Sequence, residues 1–335
     1  MEKSKKKQVT NPLVEKIGLI GALVGIIIVF TIINPNYFSK QNLLNVLTSA
    51  SLVALVAIGE SYLIIAGLID LSPGSLVAFS SVLAGIMAAA GVPYWLIIPI
   101  NTCIGLFVGF LNGLGVNKLK LEPFIVTLAT MSILRGVAYV LCDGKPVSIL
   151  NPDFNRIGSI QFLGFMNIPV LSMIVAFIVF GIVLGRTTFG RSVYVLGGNK
   201  YAARLAGINS ERTITIMFMI CSGLSAMGGG LLGARLQSAQ PGASTGLEFE
   251  AITASVLGGA AMSGGVGDII GTVLGVFILQ CFNTGLIMSR IQVYWQQSAR
   301  GILLLLALAF DFYRRRQYEK NLLMKSIDEI KGIEE

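Results

Sequence analysis

The chain has no histidine in 335 residues, and only 13% of it is charged. Soluble domains carry about 25% charged residues, so a soluble globular protein is excluded at the outset. Without histidine, the side chain that most often serves as general base and metal ligand is missing, which removes His-based catalysis and His-ligated metal centres. Cysteine is scarce as well. Cys103, Cys221 and Cys281 lie within apolar runs and Cys142 at the end of one, and their spacing fits neither a metal site nor a disulfide framework. A nucleotide-binding loop is also absent, because Gly144-Lys145 runs into Pro146 where Gly-Lys-Ser/Thr is required. No catalytic or metal-ligating constellation is expected, and any ATPase serving this chain must be a different chain.

What the sequence has is apolar length: 54% hydrophobic residues and 39 glycines. A membrane-spanning helix takes roughly 20 apolar residues. Ten runs approach that length, at 17–33, 43–66, 75–91, 94–116, 123–142, 169–185, 213–234, 251–263, 268–288 and 294–313. The expected fold class is therefore an all-α polytopic membrane protein of about ten transmembrane helices. It forms one membrane domain over 17–313, between a basic segment 1–16 and a charged segment 314–335. The first run is longer than a signal-peptide core, and Asn34-Pro35-Asn36-Tyr37 offers no small-residue cleavage site, so it reads as a retained span. The eighth run is too short to cross alone and is followed by Gly264-Gly265-Val266-Gly267. A broken or re-entrant element is expected near 251–267, since irregular backbone survives at membrane depth only against protein or water.

The net charge of +8 is segregated along the chain rather than gathered into a nucleic-acid footprint. Alternate connecting segments, with both termini, hold 18 of the 25 Lys and Arg. Those on the other side hold Lys40, Lys145, Arg156, Arg235 and Arg290, while Arg135 and Arg300 fall inside runs. The positive-inside bias puts both termini in the cytoplasm.

One cytoplasmic segment, 186–212, is long, polar and built around a short helix. Asn199 can accept hydrogen bonds from the first free N–H groups, and Gly207 can end the helix in the left-handed conformation. Tyr201, Ala202, Leu205 and Ala206 form an apolar stripe, with Lys200, Ala203 and Arg204 elsewhere around the helix. So short a helix is unstable alone in water. Either the chain's own membrane domain covers the stripe or a soluble partner does.

Ionisable residues in apolar runs are costly and need partners, water or an interface. Glu60, Asp70, Arg135 and Arg300 are of this kind, and with Ser72, Asn112 and Asn283 they are candidates for lining a translocation pathway. Asp70 and Ser72 stand in the break Gly67–Ser75, where capping the following helix is an equal alternative for Asp70. The loop from Arg235 to Glu250 is polar and glycine-rich, and Gln240, Thr245 and Glu248 are candidates for contact with an external solute-delivering protein. A faint internal repeat pairs Gly67–Ser75 with Gly258–Gly267, and Asn112 with Asn283. It would fit a transporter made of two similar halves.

Taken in order, several motifs resemble the permease family of ribose-type ABC importers for simple sugars. These are Gly67–Ser75, Pro123–Leu128 running on to Arg135-Gly136, Thr188–Arg191 through Gly207-Ile208-Asn209, Ser238–Pro241 through Glu248 and Ile252, Gly258–Gly275, and Trp295-Gln296-Gln297 with Arg300-Gly301. The resemblance covers about residues 17–313, and the order and spacing of the motifs carry it. Pro73, Ala260-Ala261-Met262, Val266 and Asp268 depart from the family's pattern. They weaken any solute contact inferred from the second half. The resemblance implies an ABC importer permease fold in the bacterial inner membrane, with the 199–207 helix in the place of the family's coupling helix. It also implies an ATP-binding cassette subunit that holds ATP and magnesium, no cofactor in this chain, a periplasmic or lipid-anchored sugar-binding protein, and a second permease chain, expected as a homodimer. Permeases for nucleosides or branched-chain amino acids in the same superfamily remain alternatives, as does a stand-alone secondary transporter.

Overall fold

The computed structural model describes residues 12–162 and 166–331. The ten apolar runs all form helices. They are α1 (Pro12–Ile33), α2 (Lys40–Ile65), α3 (Pro73–Ala89), α4 (Tyr94–Asn117) and α5 (Pro123–Leu141), then α7 (Ile168–Arg186), α10 (Ser210–Leu236), α11 (Leu247–Leu257), α12 (Ile269–Met288) and α13 (Val293–Lys331). Between them lie α6 (Pro152–Ser159), α8 (Thr188–Gly198) and α9 (Lys200–Leu205), with a two-stranded antiparallel ladder of β1 (Val147–Ser148) and β2 (Ser238–Ala239). Seven of the described helices, α1, α2, α4, α5, α7, α10 and α12, are long and apolar enough to cross a membrane. Of the rest, α3 has 17 residues and α11 only 11. α13 continues as helix beyond the tenth run, through the charged residues up to Lys331. The remainder of the basic N-terminal and charged C-terminal segments, 1–11 and 332–335, lies outside the described residues.

Helix starts follow from local chemistry. Asn167, Thr187, Asn209 and Asp268 each accept a hydrogen bond from a first-turn N–H of α7, α8, α10 and α12, at 2.7–3.1 Å, which satisfies donors a helix cannot satisfy itself. Pro73 opens α3 and Pro123 opens α5, where a missing N–H costs nothing. Asp268, unexpected from family pattern, thus caps α12 and also meets Lys16 Nζ at 3.3 Å.

α2, α10 and α12 are buried along most of their length, whereas α1, α4, α5 and α7 turn most of their surface outward. Glycine brings the inner helices together, as small residues do in lipid. A Cβ at Gly59 of α2 would stand 2.5 Å from the Cα of Cys221, and one at Gly113 of α4 would stand 2.7 Å from the Cα of Thr215.

The contacts define an inverted repeat. α2 and α10 cross antiparallel at the centre, Gly59 beside Cys221 and Ser49 beside Arg235. α10 runs antiparallel to α4, with Gly105 at Ala226 and Gly113 at Thr215, and parallel to α3, with Val77 at Gly229 and Ser81 at Gly233. In the same way α2 runs antiparallel to α12, with Ser61 bonded to Thr272, and parallel to α11, with Ala57 bonded to Ser255. Each unit is therefore a long helix, an irregular break, a half-length helix and two further helices: α2–α5, then α10–α13 in the opposite sense.

This corrects the register of the repeat read from sequence. The counterpart of the 66–72 break is the loop 237–246, not Gly258–Gly267, which joins α11 to α12 as residues 90–93 join α3 to α4. Composition misled because the second break is built differently, with left-handed turns at Gln237, Ser244 and Gly246 rather than around a single Gly67. The broken element near 251–267 is present. α11 stops at Leu257, and the chain turns back through Gly259, Gly264 and Gly265, all at positive φ, into α12.

Candidate functional site

The two ends of the bundle differ. At one end, the segment 186–212 forms two helices rather than one. α8 packs on the end of α2: Phe189 stacks on Tyr62, Tyr194 Oη donates to Gly267 O at 2.7 Å, and Gly197 lies against the Ile65 carbonyl. α9 follows as a six-residue helix with both ends closed. Asn199 Oδ1 accepts from Tyr201 N at 2.9 Å and Ala202 N at 3.0 Å. At the other end Gly207, at φ +73°, donates to Arg204 O while Ile208 N donates to Ala203 O, the paired bonds of a Schellman stop.

Ala203, read from sequence as lying off the apolar stripe, is the residue that packs inward at 0% exposure. Tyr201 and Leu205 point away at 72% and 73% exposure, and Lys200, Ala202, Arg204 and Gly207 are exposed with them. The chain's own membrane domain leaves these side chains bare.

The second arrangement is a closed polar core where the two breaks meet. Glu60 Oε1 accepts from Asp70 N at 3.1 Å, and Asp70 Oδ1 accepts from Ser72 N and Ser72 Oγ at 2.7 and 2.6 Å. Asn112 Nδ2 donates to Ser72 Oγ at 3.3 Å and Asn112 Oδ1 accepts from Thr130 at 2.6 Å. Four of the proposed pathway residues, Glu60, Asp70, Ser72 and Asn112, therefore come together, but fully buried, tying the 66–72 break to α2, α4 and α5. They hold the break in shape rather than lining an open route. Glu248, proposed for contact with an external protein, is likewise buried, at 5% exposure, with its carboxylate against Gly74. Its place at the first turn of α11, in a loop that descends into the bundle, is the reason. Arg135 holds that loop, donating to Pro241 O and Ala243 O at 2.8 Å each. Gln240 and Thr245 of the same loop are exposed.

The third arrangement is a cavity of about 390 Å³ near the end opposite α9, among α2, α10, α11, α12 and α13. Asn283 and Arg300 line it, joined by Arg235, Glu250, Gln280 and Gln296. Arg300 pairs with Glu250 at 2.5 Å, and Gln280 Nε2 donates to Glu250 Oε2 at 3.3 Å. Arg235 donates to Ser49 Oγ at 3.2–3.3 Å. The Oδ1 of Asn283 is buried without a hydrogen-bond partner among the described residues. Sequence reasoning found Asn283 and Arg300 but missed the rest. Gln280 was detectable by the argument that found Glu60, a polar side chain in the middle of an apolar run.

The family model for the branched-chain amino acid transport system permease component matches residues 42–308. The chain belongs to this permease family. The matched stretch begins in α2 and ends in α13, so both repeat units of the permease, apart from the first residues of α2 and the latter part of α13, lie inside it with α8 and α9 between them. Among curated proteins, the permease is 38% identical to the ribose import permease protein of Bacillus subtilis, over 89% of this chain and 92% of that one. It is 37% identical to the ribose import permease protein of Haemophilus influenzae, over 91% and 95%. It is 33% identical to the L-arabinose ABC transporter permease protein of Azospirillum brasilense, over 91% and 90%. No solved structure matches the permease.

Proposed function

We propose that the chain is the membrane-spanning subunit of an ATP-driven importer that carries a monosaccharide, ribose or a similar sugar, across a bacterial inner membrane. Its full-length similarity to ribose and arabinose permeases supports the solute class. The observation that carries the mechanism is α9: capped at both ends, joined through α8 to the end of α2, and presenting Tyr201 and Leu205 uncovered by the described residues. An ATP-binding cassette subunit, the holder of ATP and magnesium, covers this helix. Movement of that subunit reaches α2 and the 258–267 turn through the contacts of Phe189, Tyr194 and Gly197. The positive-inside bias puts α9 and both termini in the cytoplasm. The opposite end, with exposed Gln240 and Thr245, then receives a sugar-binding protein, and a second copy of the permease completes the membrane unit.

The test is co-purification from native membranes in mild detergent, with sugar uptake measured in parallel. A P-loop ATPase is expected with the wild-type chain. Leu205→Asp puts a charge into the apolar contact and is expected to lower its recovery, and uptake, by about tenfold or more at equal membrane abundance. Normal uptake in that variant would remove α9 from the coupling path. Transport by the isolated chain without ATP would favour a secondary transporter.

A further inference from the structure

We propose that the cavity of Asn283, Gln280, Gln296, Arg300, Glu250 and Arg235 is a recognition site for one neutral monosaccharide ring.

Its volume, about 390 Å³, falls in the roughly 300–1,000 Å³ range of small-molecule sites. The chemistry of the wall is that of a polyol site. A sugar hydroxyl both donates and accepts, and side-chain amides do the same; three of them, Gln280, Asn283 and Gln296, face this space. The Arg300 charge is neutralised by Glu250, whose second oxygen is engaged by Gln280. No carboxylate is therefore left to receive an amino acid's ammonium group, which disfavours a zwitterionic solute. Asn283 Oδ1 is an acceptor without a hydrogen-bond partner among the described residues. The atom is closed off from the open space as the amide stands, and a turn of the amide would bring it to a sugar hydroxyl. Leu52, Val53, Leu232 and Ile287 form an apolar side suited to the C–H face of a ring.

The cavity touches both repeat units. Its walls come from the long helices of both repeat units, α2 and α10, from the 237–246 loop through Thr245, and from α11, α12 and α13. A solute held there would bridge the two units.

The proposal rests on the sugar-importer reading for its solute class, and the experiment separates the two. The permease is placed in lipid nanodiscs, with no ATPase or binding protein, in a Cys103→Ser, Cys142→Ser background. Asn283→Cys is then reacted with a small cationic methanethiosulfonate. Millimolar D-ribose or L-arabinose is expected to slow modification about tenfold, while leaving Gln240→Cys, on the exposed loop, unaffected. Gln296→Cys gives the same reading should Asn283→Cys fail to fold. An unreactive cysteine, an equal rate with and without sugar, or protection by L-leucine alone would overturn the proposal. Adding Leu205→Asp to Asn283→Cys is expected to leave protection intact. ATPase recovery that Leu205→Asp does not lower, with protection retained, would overturn the coupling reading alone; lowered recovery with no protection would overturn the cavity alone.

Discussion

Gly109 of α4 lies against the Phe218–Met219 backbone of α10, and a Cβ there would stand 2.6 Å from the Met219 Cα. Neither helix can yield locally, because Gly105 and Gly113 repeat the same close approach one turn away on either side. Gly109→Val therefore has to separate α4 from α10. Overpacking of this kind costs about 1–3 kcal/mol. Gly181 on α7 is the control, since a Cβ there meets nothing within 4 Å. Thermal unfolding in detergent is expected to show Gly109→Val clearly destabilised and Gly181→Val near wild type. Equal midpoints for the two would mean that α4–α10 contact does not set stability.

At the scale of elements, the break at 66–72 depends on one side chain. Asp70 Oδ1 takes both donors of Ser72, and Glu60 takes the N–H of Asp70. Asp70→Ala leaves the buried Ser72 donors unmet at about 1–3 kcal/mol, whereas Asp70→Asn keeps an acceptor in place. A large fall in unfolding midpoint is expected for the first and a small one for the second. Equal falls would make the carboxylate charge, rather than the hydrogen bonds, what matters. This core also shows how far the sequence could be read. Hydropathy and Pro/Gly punctuation located all ten long elements, and the residues of the α9 caps announced themselves as Asn and Gly at the right spacing. Which polar residues meet was not legible. Glu60, Asp70 and Asn112 look alike in sequence to Asn283 and Arg300, yet the first three close a joint and the last two line a cavity. That division depends on where the 237–246 loop descends, and the loop's depth is fixed by Arg135 bonding Pro241 and Ala243 from a different helix.

For the whole molecule, the inverted repeat fixes which parts share a face. The turn at 258–267, the ends of α2 and α8, and all of α9 lie at one end; Gly265 N donates to Ile65 O at 2.7 Å and Tyr194 reaches Gly267. The β1–β2 ladder, α6 and the start of the 237–246 loop lie at the other, with Gly158 against Arg235 and Asn34 bonded to Met288. Lys118, Arg186, Arg191, Lys200, Arg204 and Arg212 belong to the first end or its connections, the distribution expected of a cytoplasmic face. The orientation is open to direct labelling. In cells carrying the Cys103→Ser, Cys142→Ser background, a membrane-impermeant maleimide is expected to modify Gln240→Cys from outside and leave Tyr201→Cys untouched until the membrane is opened. Both positions are exposed on the chain itself, and expressing it without the ATPase that the coupling reading puts over Tyr201 keeps burial from imitating a topological result. Modification of Tyr201→Cys in intact cells would invert the molecule. α9 would then face away from any cytoplasmic ATPase, and the coupling reading would fail even if the cavity still bound sugar.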